Sequence, residues 1–122
     1  MAILRIIGFF LTPAIAAGAA DAQTGAPMQT VRYACDQGRT IVAEYFEGTA
    51  GVAANGMPIP GGRVSLVLDG GRHLILPQTI SGSGIRYADK GETIVFWSKG
   101  NTAFVEEGAP RTVTYKGCVA VR

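Results

Sequence analysis

The sequence predicts an all-β fold, a single small antiparallel eight-stranded β-barrel closed by one disulfide. Three observations carry that expectation. Apolar and polar residues alternate with period two from about residue 30 onward, and no helical period is sustained. Short turns rich in Gly, Asn and Asp separate the alternating runs at close spacing, the pattern of antiparallel neighbours joined by hairpins. The two cysteines stand in the first and last of these runs, Cys35 and Cys118.

The runs cover residues 30–36, 40–47, 63–69, 72–77, 84–89, 92–98, 102–106 and 111–121. Asp69-Gly70-Gly71, Asp89-Lys90-Gly91, Gly100-Asn101 and Gly108-Ala109-Pro110 read as hairpin turns. A meander of short strands, each with one apolar face, leaves two unpaired edges, and closure into a barrel removes both. A two-sheet sandwich is the alternative. Most runs fall short of the roughly 9 to 11 residues that a membrane-spanning strand needs, and no lipid-facing band is evident. One interval stands apart: residues 48–62 are rich in Gly, Ala and Pro. Asn55-Gly56 would cap a small extra hairpin there, while the low side-chain content equally suits a mobile loop. Its distance in sequence from the motifs described below makes it a peripheral, dispensable element by expectation.

The N-terminus reads as an export signal. Arg5 supplies the positive start, residues 6–17 an apolar run softened by Pro13, and Ala20-Asp21-Ala22 a cleavage site before Gln23. The apolar run is shorter than the ~20 residues that cross a bilayer, and no cysteine near the cleavage point offers a lipid attachment. The expected organisation is a signal peptide (1–22), a disordered tail (23–29) and a barrel domain (30–122) with no membrane anchor in the mature form.

With 122 residues there is room for one domain and a modest core. Lys and Arg number 11 against 9 for Asp and Glu, a net charge of +2 that is too mild to suggest nucleic acid. An isolated cysteine pair in an exported chain is most simply a disulfide. Closing so long a loop stabilises by roughly 4 to 5 kcal/mol at the ceiling and about 2 to 4 kcal/mol more typically, which compares with the whole stability of a small domain. A redox or metal role lacks partners, since there is no C-x-x-C and the sole histidine, His73, is distant in sequence.

Catalytic patterns are missing as well. His73 lies between Arg72 and Leu74 on an alternating run, where it reads as an ordinary surface residue. Glu106 and Glu107 are adjacent, so on a strand they point to opposite faces and cannot act on one bond. The Ser81-Gly82-Ser83-Gly84 loop lacks the lysine spacing and the helix start of a phosphate cradle. No nucleophile, base and orienting group assemble, so neither enzymatic activity nor a cofactor or metal is expected.

The informative stretch is residues 81–100, SGSGIRYADKGETIVFWSKG. If its two halves pair, Ser83 and Lys99 fall at the same sheet edge. Glycines on both sides of Ser83 let that backbone approach a partner closely, and Lys99 has the reach of a long charged arm. Read alone, Lys99 would be an edge-strand lysine that discourages aggregation, Ser83 a plain loop residue, and Tyr87, Phe96 and Trp97 core or rim, with at least one of Phe96 and Trp97 inside.

Three motifs in order change that weighing. An SGxxY element (Ser83, Gly84, Tyr87), an FWxKG element (Phe96, Trp97, Lys99, Gly100) and the upstream Leu76-Pro77-Gln78, with the flanking cysteines, resemble the MliC/PliC family, bacterial inhibitors of C-type lysozyme. The fit is close over residues 74–102. The resemblance implies a periplasmic protein that protects peptidoglycan, with C-type lysozyme as its partner. The serine-bearing loop would enter the enzyme's substrate cleft. Ser83 would donate a hydrogen bond to a catalytic carboxylate and Lys99 would pair with one, with Gly84 and Tyr87 shaping and bracing the loop and Asn101 touching the cleft wall. Since C-type lysozymes are basic, a mildly basic inhibitor gains no long-range steering from net charge. Two features depart from the family pattern: Ile85 stands where a smaller residue is common, and residues 48–62 have no clear match. The alternative is a small periplasmic barrel binding an apolar ligand or glycan at the Ser83 mouth; an open interior would favour it, a filled one the protein-binding reading.

Overall fold

Period-two alternation buries one face of every strand, and closing the sheet puts those faces in a common interior. The computed structural model of the chain describes residues 26–122. Its strands are β1 (Gln29–Ala34), β2 (Thr40–Phe46), β3 (Gly51–Val52), β4 (Pro58–Ile59), β5 (Arg63–Leu68), β6 (Arg72–Thr79), β7 (Ile85–Ala88), β8 (Ile94–Lys99), β9 (Thr102–Gly108) and β10 (Arg111–Ala120). Eight of them form a closed barrel in the order β1-β10-β9-β8-β7-β6-β5-β2. All barrel neighbours are antiparallel, so the chain is an up-and-down meander and the sandwich alternative falls away. The proposed signal peptide and residues 23–25 lie outside the described residues. At the end of the expected tail, the Met28 N–H donates to the Tyr45 carbonyl at 2.7 Å and Gln29 already begins β1.

Inward side chains fill the middle of the barrel. Ile41, Val64, Leu66, Val105 and Phe96 are fully buried, each worth about 1.5 to 3 kcal/mol against exposure. Toward one end the filling turns aromatic. Phe96 meets Tyr33, Tyr45 and Tyr87 at ring-centroid distances of 6.2, 6.3 and 6.1 Å, in the tilted and edge arrangements that aromatic quadrupoles prefer.

The closing ladder is among the shortest in the barrel. β1 and β10 pair only at Tyr33↔Ala120 and Ala34↔Val119, and β10 shifts register twice against β9. Cys35 and Cys118 bond covalently next to that short ladder, so the disulfide reinforces the seam that closes the barrel.

Some strand limits differ from expectation for local reasons. β1 stops at Ala34 because residues 36–38 form a short 3-10 turn with Gln37 at φ +64°. β8 starts at Ile94 because the Asp89 carboxylate accepts from the Thr93 hydroxyl (2.6 Å) and the Ile94 N–H (2.9 Å), drawing Glu92 and Thr93 into the turn. β6 continues past Pro77, which lacks an N–H, because the Gln78 N–H recovers a bond to the Gly62 carbonyl at 2.8 Å.

The 48–62 interval does form an extra hairpin, β3–β4, joined through Asn55-Gly56 and paired only to itself. Its base is tight: a Cβ on Gly48 would lie 1.9 Å from the Gly61 carbonyl oxygen, so only glycine lets the two arms cross.

A meander sends alternate connections to the same end. The β2–β5, β6–β7 and β8–β9 connections therefore share one end of the barrel. The β1–β2, β5–β6, β7–β8 and β9–β10 turns share the other, where charge is satisfied internally. Arg72 donates twice to Glu107 (2.8 and 2.9 Å), the Tyr115 hydroxyl donates to Asp69 at 2.6 Å, and Arg39 lies over the Tyr115 ring at 4.5 Å.

Candidate functional site

The β6–β7 connection carries Ser83 and is held in one shape. The Trp97 indole N–H donates to the Ser83 carbonyl at 2.8 Å. The Ser81 hydroxyl donates to the same carbonyl at 2.5 Å and accepts from the Ser83 N–H at 3.3 Å. Gly84 sits at φ +67°, and a Cβ there would lie 2.6 Å from the Ser98 carbonyl oxygen, 3.0 Å from Trp97 Nε1 and 3.2 Å from Lys99 Cβ. The chain can turn back onto β8 only because residue 84 has no side chain.

The β7–β8 ladder, with Ile85 opposite Ser98 and Arg86 opposite Trp97, brings Gly84 beside Lys99. Ser83, Gly84, Lys99 and Asn101 are all exposed at this end. Among the described residues no ion pair engages Lys99, whereas Arg39, Arg72, Arg86 and Arg111 are all paired with carboxylates. The Asn101 carbonyl accepts from the Ala120 N–H at 2.8 Å, which ties the β8–β9 turn to β10. Ile85 is exposed beside the loop.

Tyr87 is not part of the exposed set. It is 3% exposed and belongs to the core, packed on Phe96 and Tyr45, so it supports the loop from beneath and offers a partner no surface. Burial pushes its phenol up to about 12, so it remains neutral at physiological pH. Phe96 lies inside and Trp97 outside, where the indole stacks on Phe104 at 5.9 Å, with the Arg86 guanidinium 5.6 Å from its ring. Arg86 is itself fixed by Glu92 at 2.9 Å. The sequence reading placed Trp97 in the core or rim and missed its bond to the loop.

The barrel mouth beside Gly84, Gly100 and Asn101 opens into a cavity of about 620 Å³. Tyr33, Tyr45, Tyr87 and Ser98 line it, and the hydroxyls of Tyr33 and Tyr45 share a hydrogen bond of 2.8 Å. Burial raises the Tyr33 phenol and lifts that of Tyr45 well above its ordinary range. A second, smaller cleft of about 270 Å³ lies between the loop and the β3–β4 hairpin, with Ala50, Pro58, Ile59 and Pro60 on one side and Ile80, Ser81 and Gly84 on the other. The hairpin, remote in sequence, is thus adjacent in space to the loop.

Residues set aside earlier sit elsewhere. His73 faces the Ser65 hydroxyl at 2.8 Å on the barrel exterior. Glu106 meets Arg111 while Glu107 meets Arg72 and the Thr114 hydroxyl. Among the described residues no cluster of His, Cys, Asp and Glu fits a metal ion, and no helix is long and apolar enough to cross a membrane.

Comparison with known proteins adds two findings. A family model described as "Membrane-bound lysozyme-inhibitor of c-type lysozyme" matches residues 33–113, which include the whole of this site. A membrane-bound lysozyme inhibitor of C-type lysozyme from Yersinia enterocolitica is 61% identical over 44 residues, covering 36% of this chain and about a third (35%) of that protein's length. No solved structure shows a significant match.

Proposed function

This chain belongs to the MliC family, and from that premise we propose that it is a non-enzymatic, exported inhibitor of C-type lysozyme acting in the periplasm. Its Ser83 loop and Lys99 enter the enzyme's active-site cleft. A lysozyme of this type needs one carboxyl protonated as the acid and a second one ionised. The Ser83 hydroxyl donates to one carboxylate, and the Lys99 ammonium pairs with one. The ammonium stabilises the ionised form and so lowers the raised pKa on which the acid depends. The loop meanwhile occupies the space that sugar requires, so inhibition combines occlusion with electrostatics.

The observation that carries this reading is the exposure, side by side, of Ser83 and of a Lys99 that no ion pair engages among the described residues, on a loop already pinned by Trp97 and Ser81. A loop held in its bound shape loses little conformational freedom on association. The mouth cavity of about 620 Å³ supports a second reading, a barrel that takes a small apolar ligand or glycan; the aromatic packing beneath the loop favours the first.

Lysozyme turbidity assays with purified mature protein separate the two. Truncating one member of a desolvated charge pair costs about 2 to 5 kcal/mol, so Lys99→Ala should raise the inhibition constant roughly 30-fold to several thousandfold. Ser83→Ala should cost about 1.5 to 3 kcal/mol, and the double variant less than the sum, because both contacts share one group of carboxylates. Lys90→Ala, in the β7–β8 turn at the opposite end, should inhibit normally. A folded Lys99→Ala protein that inhibits like the parent would leave the ligand-binding barrel as the better reading.

A further inference from the structure

The β3–β4 hairpin keeps large apolar side chains in water. Val52 is 71% exposed, Met57 51% and Ile59 46%, and Ile80 and Ile85 flank the loop at 52% and 41%. Residues 48–62 carry no ionisable side chain, so nothing in the segment itself keeps it soluble. The hairpin is nonetheless carried at a fixed place, since its arms cross at Gly48 and Gly61 too closely for any Cβ. Clustered exposed apolar groups on a positioned element mark a surface that something covers.

The same end of the barrel shows what covers it. Specific protein complexes bury about 800 Å² on each partner. A loop of two serines and two glycines with one lysine falls far short of that, so the remaining contact must come from adjacent surface. The hairpin is that surface, because it forms the other wall of the cleft beside Ser81 and Gly84. We propose that β3–β4 is a second contact arm for the same lysozyme, and that the cleft between arm and loop takes an apolar side chain of the enzyme next to its active-site groove. This rests on the function proposed above. The loop and Lys99 set inhibition and electrostatic register, while the arm prolongs the complex.

Val52→Ser/Met57→Ser/Ile59→Ser tests this without altering the barrel, as all three side chains are exposed. A second variant joins Gly48 directly to Gly62 through a short Gly-Ser turn. Binding kinetics on immobilised C-type lysozyme should show dissociation about tenfold faster for both, with association within about twofold, since changes at one interface act mostly on the off-rate. Raising the salt should leave that loss unchanged, because the contact is apolar. If Lys99→Ala weakens binding while both hairpin variants match the parent, the arm is wrong and the inhibitor reading stands. If the parent fails to bind lysozyme, both fall. Sedimentation showing a parent dimer that the triple variant abolishes, with lysozyme dissociation unchanged, would reassign the hairpin to self-association and overturn the proposal.

Discussion

Gly84→Ala is the sharpest test of how the loop is held. The position has φ +67°, a region that costs an L-residue about 1 to 2 kcal/mol. The added methyl would lie 2.6 Å from the Ser98 carbonyl oxygen, a backbone atom within β8 that cannot swing aside. Overpacking of this kind costs about 1 to 3 kcal/mol. The methyl would also press on Trp97 Nε1 at 3.0 Å, the atom that donates to Ser83. Either the domain absorbs the combined strain or the loop lifts away and loses that bond. At about 4 to 8 °C per kcal/mol for a domain of this size, the first outcome lowers the melting point by roughly 10 °C or more; the second keeps more of the stability but weakens lysozyme inhibition by about tenfold. Gly82→Ala is the matched control two residues away, with no atom within 4 Å of its would-be Cβ and no positive φ; it should stay within about 0.5 kcal/mol of the parent. Calorimetry and turbidity assays on both variants decide the matter. A Gly84→Ala protein that melts and inhibits like Gly82→Ala would refute the claim that close approach to β8 fixes the loop.

Two further outcomes follow from individual bonds. Trp97→Phe keeps an aromatic ring over Phe104 but removes the donor to Ser83; a net loss of about 0.5 to 1.5 kcal/mol should weaken inhibition by a few fold to about tenfold with little change in melting point, and an unchanged inhibition constant would show that the indole does not hold the loop. At the other end, hydrogen bonds from Arg72 to Glu107 and from Tyr115 to Asp69 hold both carboxyls below their ordinary values. Their contribution is therefore complete above the unfolded-state values and lost as pH falls through the folded ones, so the urea midpoint should drop below about pH 4.5 and drop less in Arg72→Ala, as titration of the midpoint from pH 7 to 3 would show.

Much of this was legible because barrel physics is local. Alternation fixed which face of each run turns inward, as at Ile41, Ala43 and Tyr45, and the Asp-Gly and Gly-Asn turns fixed which runs are neighbours. Pairing then placed Ser83 next to Lys99 without any tertiary information. Harder to see was anything depending on which end of the barrel a connection occupies. Yet parity supplies it: in a closed meander the β2–β5 and β6–β7 connections must emerge together, so residues 48–62 were bound to lie near Ser83. Composition alone, rich in Gly, Ala and Pro, pointed to a passive loop. The role of Trp97 was hidden for a different reason. Phe96-Trp97 is an apolar pair of which a strand can bury only one side chain in the barrel, and the sequence does not say that the outward one finds a carbonyl acceptor in the loop.

The same parity bears on charge. A net charge of +2 gives no useful attraction toward a basic enzyme, so the charges are compared end by end. Among the described residues, Asp36, Asp69, Asp89, Glu92, Glu106 and Glu107 all lie in or next to the turns away from the loop. Arginines quench several of them there, Arg72 at Glu107 and Arg86 at Glu92. The loop end carries Arg63 at the start of β5, Lys99 at the end of β8 and Arg122 beyond β10, against Glu44 near the end of β2 and Glu47 beyond it. Arg39, Arg72, Arg86, Lys90 and Arg111 also lie in or next to those far turns, so neither end carries a large net charge; what sets Lys99 apart is that no ion pair engages it among the described residues, while the far-end arginines are paired with carboxylates.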